Sequence, residues 1–234
     1  MKFSIRASTA SLATIIAGLM LAGPLCAKDT LPETTADGLT RVPSKAVSAL
    51  YWKDGATLAE YDKVMILEAP VAFRKNWMRD QNRDAIDLSN RINQSDMDRI
   101  KSKLSQAFKD EFTKVLQKGG YTVVDKAGEG VLLLRPAIIN LDVSAPDTQR
   151  SMGVSRTFTA SAGSMELYME LYDSLTSSKI GEVADAQGGN DAGHFQVSNS
   201  VTNKAEAERI LRKWAQLLVN ALDEAKKKDN SAAK

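Results

Sequence analysis

Apolar and polar residues alternate most cleanly from Met165 to Tyr172, where Met165, Leu167, Met169 and Leu171 interleave with Glu166, Tyr168, Glu170 and Tyr172. This period of two predicts a strand with one face in a core and the other turned outward. Thr176-Ser177-Ser178-Lys179 then predicts a turn, and Ile180–Ala186 the returning strand of a hairpin. Upstream the period lengthens. Met97, Ile100, Leu104, Phe108, Phe112 and Val115 recur at spacings of three and four, which is one stripe of a helix. Ser95 with Asp98 resembles a capping box at its start, and Gly119-Gly120 stops it. A closing helix is expected from about Asn203, with Glu206 as its capping partner. Its buried face is Ala207, Ile210, Leu211, Trp214, Leu217, Leu218, Ala221 and Leu222.

Shorter apolar runs supply further strands. Lys63–Phe73 reads as one, with Pro70 at a sheet edge or bulge, and Tyr121–Val124 as another. Val131–Leu134 and Ala137–Leu141 form a nearly continuous run around Arg135-Pro136. A strand covered on both faces reads this way, and Pro136 marks either a bulge or a break into two pieces. Residues 74–94 are polar and mixed in charge, 144–164 read as a mobile loop, and Gly188–His194 as a flexible one. The order strand, long helix, strands, hairpin, helix predicts an α+β (or α/β) fold: one mixed β-sheet with two long amphipathic helices packed on it.

The amino terminus has a different character. Lys2 and Arg6 precede an uncharged apolar run from Ala7 to Ala27, closed by Pro24-Leu25-Cys26-Ala27 and then Lys28-Asp29. Basic, apolar and small residues in that order predict a secretory signal peptide cut between Ala27 and Lys28. The competing reading is a retained membrane anchor, since the run is long enough to span a bilayer. Cys26 follows the bulky Leu25 rather than a small residue, which disfavours lipid attachment there. The domain plan is therefore a signal at 1–27, an extended leader or linker at 28–50, a single domain at 51–225 and a charged, fraying tail at 226–234.

Composition narrows the function classes. Of the 234 residues 43% are apolar, enough for a sizeable core, and the formal net charge is +2 from 31 basic and 29 acidic side chains. Removing residues 1–27 takes away Lys2 and Arg6 and no acid, so 31 less two leaves 29 basic against 29 acidic groups. A neutral mature chain offers no electrostatic case for nucleic acid. One Cys and one His rule out a disulfide framework and Cys- or His-rich metal sites.

Candidate chemistry is sparse. His194 lies beside Asp191 in a Gly-rich loop, with no Gly-x-Ser-x-Gly elbow in the chain, and reads as a surface residue. Gly188–Gly193 lacks the Gly-Lys-Ser/Thr ending of a phosphate loop, and Asp80, Asp84, Asp87, Asp96 and Asp98 do not follow calcium-loop spacing. Glu166 and Glu170 could pair for glycoside chemistry, but an outward sheet face bearing Glu and Tyr is commoner. No catalytic residue, cofactor site or metal site is expected. The candidate interaction surface is Arg74, Trp77, Met78 and Arg79, because Trp and Arg are enriched at binding hot spots; otherwise Trp77 packs under the sheet.

Tyr51-Trp52-Lys53-Asp54-Gly55-Ala56-Thr57-Leu58 running into Tyr61-Asp62-Lys63-Val64, with Pro70-Val71 beyond, forms one distinctive stretch. Ala162-Gly163-Ser164-Met165-Glu166 leading into Leu171-Tyr172-Asp173-Ser174-Leu175-Thr176 forms a second. Over about residues 45–222 the chain resembles an uncharacterised bacterial lipoprotein family with a domain of unknown function. More distantly it is similar to periplasmic accessory lipoprotein domains. The resemblance brings no catalytic residues, and the imperfect Cys26 site departs from it. It implies an exported, non-enzymatic accessory protein of the periplasm or outer membrane that binds another envelope protein. No nucleic acid and no transmembrane span after signal removal are expected, and an oligomer is compatible. The alternatives are a component of an outer-membrane or secretion-type assembly and an envelope-polymer hydrolase.

Overall fold

The alternating stretch becomes the central strand of a mixed sheet. The structure, a computed structural model, describes residues 31–83, 91–144, 157–159, 163–188, 196–198 and 200–232. In chain order the elements are β1 (Thr40–Arg41), β2 (Ala49–Trp52), β3 (Lys63–Ile66), β4 (Val71–Phe73), α1 (Trp77–Arg83), α2 (Gln94–Lys118), β5 (Thr122–Val124), β6 (Val131–Val143), β7 (Thr157–Thr159), β8 (Gly163–Asp173), β9 (Lys179–Gly188), β10 (Gln196–Ser198) and α3 (Ser200–Ala232). Eight strands form one sheet in the order β1-β2-β9-β8-β6-β3-β5, with β4 beside the far half of β6. The ladders from β1 to β6 are antiparallel; β3 and β4 run parallel to β6, as does β5 to β3. This is the expected α+β arrangement. Strands β7 and β10 form a separate two-stranded ribbon.

Burial on β8 follows the alternation. Met165, Leu167, Met169 and Leu171 are buried, and the residues between them are only partly so. The inward set meets Leu104, Phe108, Phe112 and Leu116 of α2 and Ile210, Leu211, Trp214, Leu218 and Leu222 of α3 in one cluster. Two polar ties cross this layer. Glu111 of α2 pairs with Arg212 of α3 at 3.2 Å. The buried Asp185 accepts from Trp214 Nε1 at 2.8 Å and from Ser48 N and Oγ at 3.1 and 3.0 Å. An enclosed carboxylate is tolerated because its lone pairs are filled in this way.

Pro136 neither bulges nor breaks β6. Ile138 N donates to Pro70 O, and Leu134 O accepts from Leu67 N, so even-numbered residues turn their amide groups toward β3 and β4. Pro136 falls between these two points, where the chain leaves β3 and has yet to enter β4. A missing N–H costs nothing there. The irregularity of β6 lies further on, between Ile139 and Asp142, where Asn140 adopts φ 50°.

Several boundaries differ from the sequence reading. The cap of α2 is Asn93, whose side chain accepts from Asp96 N while Asp96 reaches back to Asn93 N; Ser95 and Asp98 repeat the same spacing two residues too late. Gly119 ends the helix as expected. Helix α3 starts at Ser200 and continues to Ala232, through most of the stretch read as a fraying tail, with Lys226 seated 4.4 Å from the Tyr121 ring centroid. Residues 28–50 are not all linker: Thr40–Arg41 and the start of β2 belong to the sheet. Thr157–Thr159, read as loop, pair with β10, while 145–156 and 160–162 lie outside the described residues. So do Ala27, Lys28, Asp191 and His194.

Candidate interaction surfaces

The Arg74–Arg79 segment splits between inside and outside. Trp77 is 1% exposed, stacks on Phe73 with ring centroids 4.1 Å apart, and donates from Nε1 to Val143 O at 3.3 Å. It is part of the packing, not a surface anchor, which corrects the expectation for this residue. Arg74 is tied down as well, with Nη1 2.7 Å from Asp80 Oδ2 and Nε 2.8 Å from Asp142 Oδ2. The Arg74 hydrogen bond holds the Asp80 carboxyl below its ordinary range. Only Met78 and Arg79 of the four remain exposed, and Arg79 reaches Asp80 at 3.2 Å.

The outward side of the sheet is a stronger candidate. Register places Tyr168 and Tyr172 of β8 beside Ala137 and Leu133 of β6, and Glu170 beside Arg135. Across β9 the same row continues through Glu182 and Ala184. None of these β6 and β8 side chains joins the core cluster under α2 and α3. Ile139 is 39% exposed and the Arg135 side chain 65%. Burial, aided by Glu182, pushes the Tyr168 hydroxyl above the usual phenol range, so it stays a hydrogen-bond donor at any physiological pH.

An ion cluster anchors this face. Lys179 Nζ lies 2.6 Å from Asp37, 2.6 Å from Glu170 and 3.1 Å from Glu182, and Arg135 is 3.3 Å from Glu170. Burial opposes the charge on Lys179, but hydrogen bonds to Asp37, Glu170 and Glu182 outweigh it and raise its pKa. The three carboxylates have oxygens within 4.8 Å of one another, close enough to hold a metal ion. The lysine ammonium already occupies the centre they share.

At the end of β8 a cleft of about 780 Å³ opens between the β2–β3 loop, the β5–β6 turn and the β8–β9 hairpin. Tyr61 and Asp173, one from each of the two distinctive sequence stretches, meet there, with Tyr61 Oη donating to Asp173 Oδ2 at 3.2 Å. Asp173 also accepts from Thr176 N and Oγ1, both at 2.7 Å. Leu175, 62% exposed, stands at the lip. The pairing of distant stretches closes the sheet end; no local signal pointed to it.

A family profile described as "Protein of unknown function (DUF3313)" matches residues 33–218, and the chain belongs to that family. This bears out the resemblance to a family with a domain of unknown function. No curated protein matches the sequence. Among solved structures, a Xanthomonas campestris protein of family DUF330 is 12% identical, covering 77% of this chain and 94% of that one with a TM-score of 0.38. A PelC dodecamer from Paraburkholderia phytofirmans is 12% identical over 70% and 94%, with a TM-score of 0.34. A minor lipoprotein from Acinetobacter baumannii is 8% identical over 68% and 91%, with a TM-score of 0.31. No helix among the described residues is long and apolar enough to cross a membrane.

Proposed function

We propose that this member of the DUF3313 family is an exported, non-enzymatic accessory protein of the cell envelope, and that it binds another protein through the outward side of its sheet. One observation carries the reading. Tyr168, Tyr172 and Arg135 share a face with Leu133 and Ile139, and the two long helices pack on the opposite side. Tyr and Arg beside aliphatic surface are the groups that concentrate binding energy, because each offers large contact area together with a polar handle. Export is supported by the basic, apolar and small residues in order through Ala27.

A photoreactive amino acid placed at Tyr168, at Ile139 and, as a control, at Gln216 on the exposed side of α3 tests this in intact cells. Discrete adducts are expected from the two sheet positions and not from Gln216, and Arg135→Glu should abolish them. Adducts from all three positions, or from none, overturn the reading.

A further inference from the structure

The outward side is not bare at every point. Residues 32–42 fold back over its β2 side, and the way they are held is informative. We propose that the edge of β2 turned away from β9, with the hollow formed by Ala49, Tyr51 and Ala184 and the Lys179 ammonium beside it, is an acceptor site for a short hairpin whose second arm adds as a strand. Residues 32–42 fill it in cis. A partner segment of the same chemistry, a tight hairpin with a carboxylate at its turn and a large aliphatic side chain two residues on, exchanges with them.

The acceptor is firm and the donor is lightly attached. Strand β2 pairs with β9 through all four of its residues, from Ala49↔Ala184 to Trp52↔Gly181. Gly181 allows that approach, since a Cβ there would drive into the Trp52 ring. The donor pairs with β2 only through Thr40↔Trp52 and Arg41↔Tyr51, with one further bond from Val42 N to Leu50 O at 2.8 Å. Leu39, Ala49 and Tyr51 form a buried cluster of their own, apart from the main core. Tyr51 Oη donates to Pro32 O at 3.0 Å.

The charges point the same way. If Asp37 leaves, Lys179 keeps Glu170 at 2.6 Å and Glu182 at 3.1 Å, so no buried ammonium is orphaned. The Asp37 side chain is 59% exposed, so solvent reaches this contact. The donor also has bonds of its own: Thr35 N donates to Leu39 O and Gly38 N to Thr35 O, in a turn with φ 77° at Gly38. Strand addition of this kind takes affinity from the main chain and selectivity from the side-chain seats. Here the seats ask for an acid and, two residues on, a leucine-like side chain.

The identity of a partner rests on the protein-binding reading above; the site itself does not. The probe is therefore a labelled peptide of residues 32–42, added to the full-length chain. In the wild type the cis segment competes at an effective concentration on the order of millimolar, so little capture is expected. Full-length Leu39→Ala weakens the cis segment and should bind the peptide at least ~10-fold more tightly, since a cis competitor lowers apparent affinity by the fraction of sites it fills. Peptides carrying Asp37→Lys or Leu39→Ser should not bind. No capture by the Leu39→Ala chain up to millimolar peptide, or capture indifferent to the peptide changes, overturns the acceptor site. Neither result bears on cross-links from Tyr168 and Ile139, so failure here and failure of the binding reading are distinguishable.

Discussion

The inward and outward sides of the sheet use the same strands to different ends. Under α2 and α3, side chains from β3, β6 and β8 and from both helices interlock, with Phe108, Phe112, Leu116, Leu132 and Leu222 at 0% exposure. On the other side, Leu39, Ala49 and Tyr51 form a small separate buried cluster, and ion pairs gather around Lys179. Apolar burial scales with area and is hard to undo locally, whereas partly exposed ion pairs contribute little each and can exchange partners. One side therefore holds the fold, and the other contributes less to it.

The sharpest way to break that contrast is Phe112→Ala. Its ring is fully buried and stacks on Phe108 with centroids 4.1 Å apart. Truncation should cost about 3–5 kcal/mol in denaturant unfolding, from lost transfer energy and the cavity left behind. A shift in Tm on the order of 10 °C follows for a chain of this size. A loss below about 1 kcal/mol would mean that the helices do not hold the sheet.

Leu39→Ala sharpens the contrast from the other side. Leu39 is 2% exposed, and losing it should cost about 2–3 kcal/mol within the satellite cluster. That loss should read out as faster hydrogen exchange at Leu39, Arg41 and Val42, whose amides bond within or at the edge of this segment. The main unfolding midpoint should hardly move. If it falls as far as in Phe112→Ala, the two regions are one cooperative unit.

What the sequence disclosed follows the same division. The β8 alternation and the α2 stripe were legible because each is a local period imposed by one buried face. Trp77 was not: its Arg74 and Arg79 neighbours suggest surface, while its burial comes from Phe73 four residues back and from Val143, 66 residues on. Strand β2, Ala49–Trp52, lies across the boundary drawn at residue 50: four residues are too few to show a period, and the partner strand β9 is far along the chain. The pairing of Asp37 with Lys179 spans 142 residues, and that of Tyr61 with Asp173 spans 112, so no window of sequence contains either. The capping box falls two residues earlier than expected because Asn93-x-x-Asp96 and Ser95-x-x-Asp98 satisfy one pattern; in the fold Asn93 follows Ile92, tied to Asn82, and Asp96 is buried beside Arg99.

The hairpin end at Asp173 belongs to neither side and gives the smallest effect. Bonds from the Thr176 hydroxyl and amide, and then from Tyr61, hold the Asp173 carboxyl below its ordinary value. A carboxylate whose folded pKa is depressed stabilises the fold at pH above its unfolded value, about 3.9, and that contribution fades as the pH falls through the folded value. Asp173→Asn keeps one acceptor oxygen but loses the charge. Its stability should fall modestly short of the wild type at neutral pH, with the gap closing below about pH 4 as the wild-type group protonates. Thermal unfolding of both proteins between neutral and acid pH measures it. A gap that stays constant into strong acid, or widens there, would show that Asp173 acts through its shape in the turn and that its charge contributes nothing to closing the sheet end.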